Sequence, residues 1–351
     1  MGLTNFLPLA LGLVLFSFLI TATLVVPFID LLYKLKLTRR KEAPKTGKVP
    51  LFDKLHDKKT GTPVGGGVLL LSVVTILFAA LFPLASYLGV FIQSAFDLKN
   101  ELLVIFFTFL SFGVLGLSDD LVKMFGKPTK GLMGQWFGLR RKQKFALQWA
   151  LGLITGYLLY AKLGIHLIHI PVFNYNFDLG ALYILFSAFI VVTFANAYNI
   201  TDGLDGLAGG LLMIFLMAFG VIAAGNLDTP LAIFIALWLG ALFAFLYFNV
   251  FPARVFLGDA GALSFGATIA VIGLLTGNLA ALFVIGGIFL LEIASSAIQI
   301  LGWKIFKRPI FPLAPIHHAF LAMGWEEPKI VMRAWLTGIV LAIFGLWLAT
   351  I

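Results

Sequence analysis

Long apolar runs, broken by short polar stretches, organise the whole chain. A helix that crosses a bilayer needs roughly 20 largely apolar residues. Ten segments approach that test: Leu7–Leu32, Gly66–Val90, Leu102–Leu117, Phe145–Tyr160, Leu179–Phe194, Leu207–Ala224, Leu231–Tyr247, Gly261–Thr276, Leu279–Trp303 and Ile330–Thr350. The third, fourth and fifth are short. The pattern predicts an all-α, polytopic membrane protein with about ten transmembrane helices. Nothing marks a repeat or a second domain, so residues 1–351 read as one integral-membrane domain. Its polar loops fall at 34–65, 118–144, 195–206, 248–260 and 304–329.

Composition agrees. Of the 351 residues, 61% are hydrophobic and 12% charged, where soluble domains hold about 45–50% and 25%. The absence of cysteine excludes disulfides and thiolate metal sites. The first apolar run is too long for a cleavable signal and suits a spanning helix. The net charge of +9 becomes informative only when mapped. Of the 25 Lys and Arg, all but Lys99 and Lys162 fall on alternate connections or their edges. By the positive-inside rule those connections are cytoplasmic and both termini lie outside. The basic content therefore reads as topology and not as nucleic-acid binding.

The 16 acidic residues are placed selectively. Asp119 and Asp120 precede the fourth span, Asp202 and Asp205 lie between the fifth and sixth, and Asp259 lies before the eighth. All five are expected at the cytoplasmic face. Carboxylates at span ends are costly unless solvated or paired. The adjacent Asp119 and Asp120 suit Mg²⁺, a hard cation that shares oxygen ligands with substrate phosphates. One of them could serve as a general base, although a helix cap would explain the pair equally well. Asp259 sits in Gly258-Asp-Ala-Gly261, where glycines permit close approach of backbone and ligand. Asp202 and Asp205, with Asn196 and Asn199 just before them, suggest a polar binding pocket, with capping of the sixth span as the competitor.

Cations and imidazoles lie on the same side. Lys58 and Lys59 precede a Gly-rich turn, and His317 and His318 stand together on the last cytoplasmic connection. Such groups could meet a phosphate, or simply be solvated. Glu292 and Gln299 share a face inside the ninth span. A buried acid in a span is a candidate functional group, with interhelical hydrogen bonding as the alternative. A secondary transporter is the competing class, but the acids gather at one face and no inverted repeat is visible.

Four segments then occur in the order of a known family: Ser118-Asp-Asp-Leu-Val-Lys123, Asn196-Ala-Tyr-Asn-Ile-Thr-Asp-Gly-Leu-Asp-Gly-Leu207, Phe256-Leu-Gly-Asp-Ala-Gly261 and Pro315-Ile-His-His318. The chain resembles the polyprenyl-phosphate N-acetylhexosamine-1-phosphate transferases over its whole length. Lys59-Thr-Gly-Thr-Pro63, Thr129-Lys-Gly-Leu132 and Gly324-Trp-Glu-Glu-Pro328 point to the phospho-N-acetylmuramoyl-pentapeptide transferase branch. The resemblance implies transfer from UDP-N-acetylmuramoyl-pentapeptide to undecaprenyl phosphate in the bacterial cytoplasmic membrane. Lipid I for peptidoglycan and UMP would be the products, with Mg²⁺ as cofactor. It further implies that Asp259 is the principal Mg²⁺ ligand and Asp119 the base, with Asp120 beside it as a further catalytic or metal-binding group. Lys59, Gly203, Leu204, Asp205, Asn249 and Phe256 would form the uridine pocket. Asn199, Asp202, Gln299, His317 and His318 would line the phosphate and sugar region, the two histidines as catalytic groups. A homodimer and recognition by nucleoside antibiotics are also implied. Departures are specific: Ala319 replaces a third histidine, Leu321 an acid, Ala262 a serine and Val64 a threonine. They leave a sister activity using UDP-N-acetylglucosamine as the alternative.

Overall fold

The computed structural model describes residues 3–39, 59–125, 141–173 and 175–351. The helices are α1 (Leu3–Lys34), α2 (Gly66–Tyr87), α3 (Leu98–Phe125), α4 (Arg141–Leu163), α5 (Tyr183–Thr201), α6 (Leu207–Gly225), α7 (Thr229–Asn249) and α8 (Gly258–Leu275). They continue with α9 (Leu279–Ile285), α10 (Gly287–Ile305), α11 (Ile316–Ala322) and α12 (Glu327–Ala349). Among the described residues, nine helices are long and apolar enough to cross a membrane. The predicted fourth span does form a helix, α4, but Lys142, Lys144 and Lys162 lower its apolarity and it is not one of the nine. The predicted ninth span is two helices, α9 and α10, meeting at Gly286. A cap residue with φ −80° and ψ 7° stops the first hydrogen-bond ladder there and starts the second.

The purely helical expectation also needs amending between α4 and α5. Strands β1 (Leu167–Ile170) and β2 (Tyr175–Asp178) form an antiparallel hairpin with Leu167 opposite Asp178 and Ile170 opposite Tyr175. Residues 118–125 and 195–201, expected as loops, are helical. Asp119 and Asp120 thus stand on the last turns of α3, and Asn196 and Asn199 on the last turns of α5.

The core is centred on α8, which is buried almost all the way round. Its small residues, among them Ala260, Gly261, Ala262, Gly266, Ala267 and Ala270, let α3 and α5 come close. In lipid, where burial of apolar surface drives little, close packing and hydrogen bonding hold helices together. The Ser264 hydroxyl donates to the Phe109 carbonyl on α3 at 2.6 Å, and the Ser17 hydroxyl of α1 to the Leu237 carbonyl on α7 at 2.6 Å. Such bonds contribute on the order of 0.6 kcal/mol each. Around them Phe109, Phe234, Trp238 and Phe265 meet at centroid distances of 4.9–6.0 Å. At Gly116 α3 runs against the start of α8. A Cβ there would lie 2.0 Å from the Asp259 carbonyl oxygen, so only glycine permits the approach that brings the carboxylates of the two helices together.

Candidate active site

The last turns of α3, the first turns of α4 and α8 and the end of α5 converge on one cluster. The Lys123 ammonium lies 3.0 Å from the Asp119 carboxylate and 2.5 Å from that of Asp259. Lys144, from α4, reaches Asp119 at 2.8 Å and also contacts Asp259. Two lysines therefore bridge two carboxylates from different helices. Asp119 and Lys123 are four apart on α3 and meet by helical periodicity alone. Asp259 stands in the first turn of α8, where the exposed N–H groups favour a negative charge. Its other oxygen accepts from the Asn199 amide at 3.0 Å. Asp120 accepts from the Ala260 N–H at 3.0 Å, which fixes it to the start of α8. Of these groups Asp119 is nearly buried and Lys123 is 40% exposed, so Asp119 forms the floor of the cluster and Lys123 its mouth.

Beside this cluster lies a cavity of about 500 Å³ lined by Lys59, Gly203, Leu204, Asp205 and Phe256, along with His318, Leu321 and Glu327. Five of the six residues expected in a uridine pocket thus share one cavity. The sixth, Asn249, is buried behind it and donates to the Val255 carbonyl at 3.0 Å, holding the 250–257 connection. Gln299 is also placed differently from the expectation. It receives the N–H groups of Ile310 and Phe311 and donates to the Phe311 carbonyl, so its amide ties down a loop. The cap role considered for Asp202 or Asp205 is not the one adopted: α6 starts at Gly206 without a side-chain cap. Asp205 instead accepts from the Lys59 ammonium at 2.6 Å and from the Ala253 N–H at 2.9 Å. Asp202 caps the C-terminus of α5. Burial, with Asp259 nearby, pushes its carboxyl up to about 7. His317 and His318 are both buried in α11. Lys58 and the 129–132 motif lie outside the described residues.

A family model described as glycosyl transferase family 4 matches residues 102–277, the stretch that carries Asp119, Asp120, Asp202, Asp205 and Asp259. The chain is 36% identical over 338 residues to the phospho-N-acetylmuramoyl-pentapeptide-transferase of Geobacillus thermodenitrificans (strain NG80-2), covering 95% of each. It is 33% identical over 338 residues to the protein of that name from Bacillus subtilis (strain 168), covering 95% of this chain and 96% of the relative. The chain belongs to the phospho-N-acetylmuramoyl-pentapeptide-transferase family.

In this member of the family, three contributions were not evident from sequence. Lys144 appeared only as a topological charge, yet it bridges Asp119 and Asp259. Lys123 closes the Ser118–Lys123 segment, where sequence alone assigns it no role. Glu327 appeared only within a motif, yet it accepts from Lys59 at 2.5 Å and from the Asp205 N–H at 2.6 Å. The spacing of Asp119 and Lys123 could have suggested that pair. Nothing in spacing could have joined Lys59 to Glu327.

The donor set also bears on a metal. Among the described residues no group of three or more His, Cys, Asp or Glu forms a ready cage. Mg²⁺ does not need one: it takes one or two carboxylates and fills its shell with water and substrate phosphate oxygens. Asp119 and Asp259 turn carboxylate oxygens towards the same two ammonium groups, so a cation between them would meet hard oxygen donors. The residues fit.

Proposed function

We propose that this membrane transferase moves phospho-N-acetylmuramoyl-pentapeptide from its UDP donor to undecaprenyl phosphate, releasing UMP and forming lipid I for peptidoglycan. Family membership supports the reaction. The observation that carries the site assignment is the double bridge of Lys123 and Lys144 across Asp119 and Asp259 beside the Lys59–Asp205 cavity. In that arrangement the cavity holds the nucleoside, with Phe256 offering a ring face and Asp205 an acceptor. The diphosphate reaches from the cavity towards Asp259. Lys123 and Lys144 are ammonium donors placed where charge builds on the diphosphate, and preorganised charge of that kind is a large contribution to catalysis. Asp119 takes the proton of the acceptor phosphate. That phosphate's oxygen attacks the sugar-linked phosphorus, and the bond to the UMP oxygen breaks. Asp120 and Asn199 hold Asp259 and the start of α8 in register.

Asp259 and Asp119 would hold Mg²⁺, which when bound neutralises diphosphate charge and polarises the phosphoryl oxygens. The basic connections support a cytoplasmic site with both termini outside. A nucleoside antibiotic would compete for the same cavity. Dimer formation follows from family resemblance alone. Leu321 lines the cavity at a position where the family resemblance implies an acid, and this favours one comparison, with UDP-N-acetylglucosamine as donor. Detergent-purified protein supplied with undecaprenyl phosphate and each donor in turn tests both readings. UMP release from the muramoyl-pentapeptide donor, dependent on Mg²⁺, is expected. Release from UDP-N-acetylglucosamine alone would move the protein to the sister activity.

A further inference from the structure

Glu292 lies inside a span and is only 3% exposed. A carboxylate in that position is costly, so it needs a partner. That partner is His317, whose Nδ1 lies 2.9 Å from the Glu292 Oε2. The contact is not a chance one, because the two helices are tied at the same level. Ser295 Oγ donates to the Glu292 carbonyl at 2.8 Å and accepts from the Ile316 N–H at 3.0 Å. The residue before His317 is thus pinned to the turn that carries Glu292.

The other ring nitrogen is different. His317 is 1% exposed, yet its Nε2 has no hydrogen-bond partner among the described residues. It faces Gly203, where a Cβ would stand 2.4 Å from Nε2. Gly203 lines the cavity and follows Asp202, which lies close enough to Asp259, Asp205 and Lys59 to feel their charges. A buried polar atom left without a partner is destabilising. A histidine serving only to tie two helices has no reason to aim that atom at the boundary between the cavity and the carboxylate–lysine cluster. A carboxylate offers no proton, so it holds one on Nδ1 and fixes which nitrogen meets a ligand.

We propose that Glu292 is a positioning residue. It locks the His317 ring so that Nε2 points past Gly203 at the diphosphate of the bound donor. The role rests on the transfer reaction proposed above. Glu292 touches no reacting atom and acts through His317: with Nδ1–H held on the carboxylate, the imidazolium is the form of the ring that donates from Nε2 to a diphosphate oxygen.

The test is Glu292→Gln in the full chain. Glutamine can accept or donate towards Nδ1, so it preserves shape while releasing the tautomer. The kcat for UMP release is expected to fall roughly 30–100-fold, with the donor KM within about 3-fold. In a His317→Gln background, the same change should cost less than about 3-fold more, because residues acting as a unit are not additive. Nitrogen-15 spectra of histidine-labelled protein should show His317 protonated at Nδ1, and a changed protonation pattern in E292Q. An unaltered kcat in E292Q, additive losses in the double variant, or a wild-type ring protonated at Nε2 alone would each overturn the proposal. If the wild type releases no UMP from either donor, the transfer reading fails, and the nitrogen-15 pattern still decides whether Glu292 sets the His317 ring.

Discussion

Helix α3 carries buried carboxylates at both ends, and the two ends are built on opposite logic. At its C-terminal end, Asp119 meets two lysines that it shares with Asp259. At its N-terminal end, Glu101 is fully buried and meets no lysine or arginine among the described residues. It accepts from the Ser94 hydroxyl at 2.6 Å and lies close enough to Asp228 for the two carboxyls to feel each other. Asp228 in turn caps α7 by accepting from the Leu231 N–H at 3.1 Å, and burial holds its carboxyl above the usual range. Two carboxyl groups buried side by side without a cation favour keeping a proton between them. The outer pair is therefore a neutralised clasp joining α3 to α7. The inner cluster keeps opposite charges separated and adjustable, with ammonium groups that a phosphate can recruit. Burial of an acid alone does not mark a reactive site; the kind of neutralisation does.

The comparison breaks most sharply at Asp259. Asp259→Ala removes the group on which both lysines and Asn199 converge, and UMP release is expected to fall by about 10³-fold or more. Near-normal turnover in that variant would defeat both the metal and the charge-clamp assignments. Lys59→Ala acts on the cavity and not on the reacting end. It frees Asp205 and Glu327, and donor KM is expected to rise roughly 10-fold with kcat nearly unchanged, as for a lost contact made equally in ground and transition states. An effect on kcat alone would place Lys59 with the reacting groups. Glu101→Gln probes the other end of α3. The amide keeps a hydrogen bond without needing a shared proton. Turnover should stay within about 2-fold, and thermal unfolding should show a change of no more than about 1 kcal/mol at neutral pH. A large loss of activity would make the outer clasp part of the mechanism.

What could be read from the sequence follows from what lipid demands. Apolar runs, and the basic residues between them, report directly on spanning segments because charge is excluded from the bilayer core. The same signal misled at the edges. Polar residues such as Ser118-Asp-Asp120 look like the end of a span, yet α3 continues to Phe125. A helix can leave the apolar layer without stopping. The break at Gly286 was hidden because both halves are apolar. Motifs located Asp119, Asp259, Lys59 and Asp205, but not who faces whom. Lys59 and Glu327 are 268 positions apart, and Glu292 and His317 are 25 apart. Such pairings are properties of the packed bundle. Asn249 and Gln299 show the converse, since their side chains serve backbone groups that a sequence does not place near them.

The smallest expected effect separates the two kinds of neutralisation by pH. The Asp202 carboxyl is pushed up to about 7 in the folded chain, first by burial and then by Asp259, against an ordinary value of 3.8. Between those values the folded state binds more protons than the unfolded state, so stability must decline as pH rises from about 4 to 7 and then level off. Asp228, also raised, adds in the same direction. In protein kept free of divalent cations, the unfolding temperature should therefore be higher at pH 4.5 than at pH 7.5. Asp202→Asn should shrink that difference, because the amide has no proton to lose, and leave the part set by the Asp228 clasp. If Asp202→Asn left the slope unchanged, the decline would belong to the outer clasp, and Asp202 would have to be as readily ionised as a carboxylate in water.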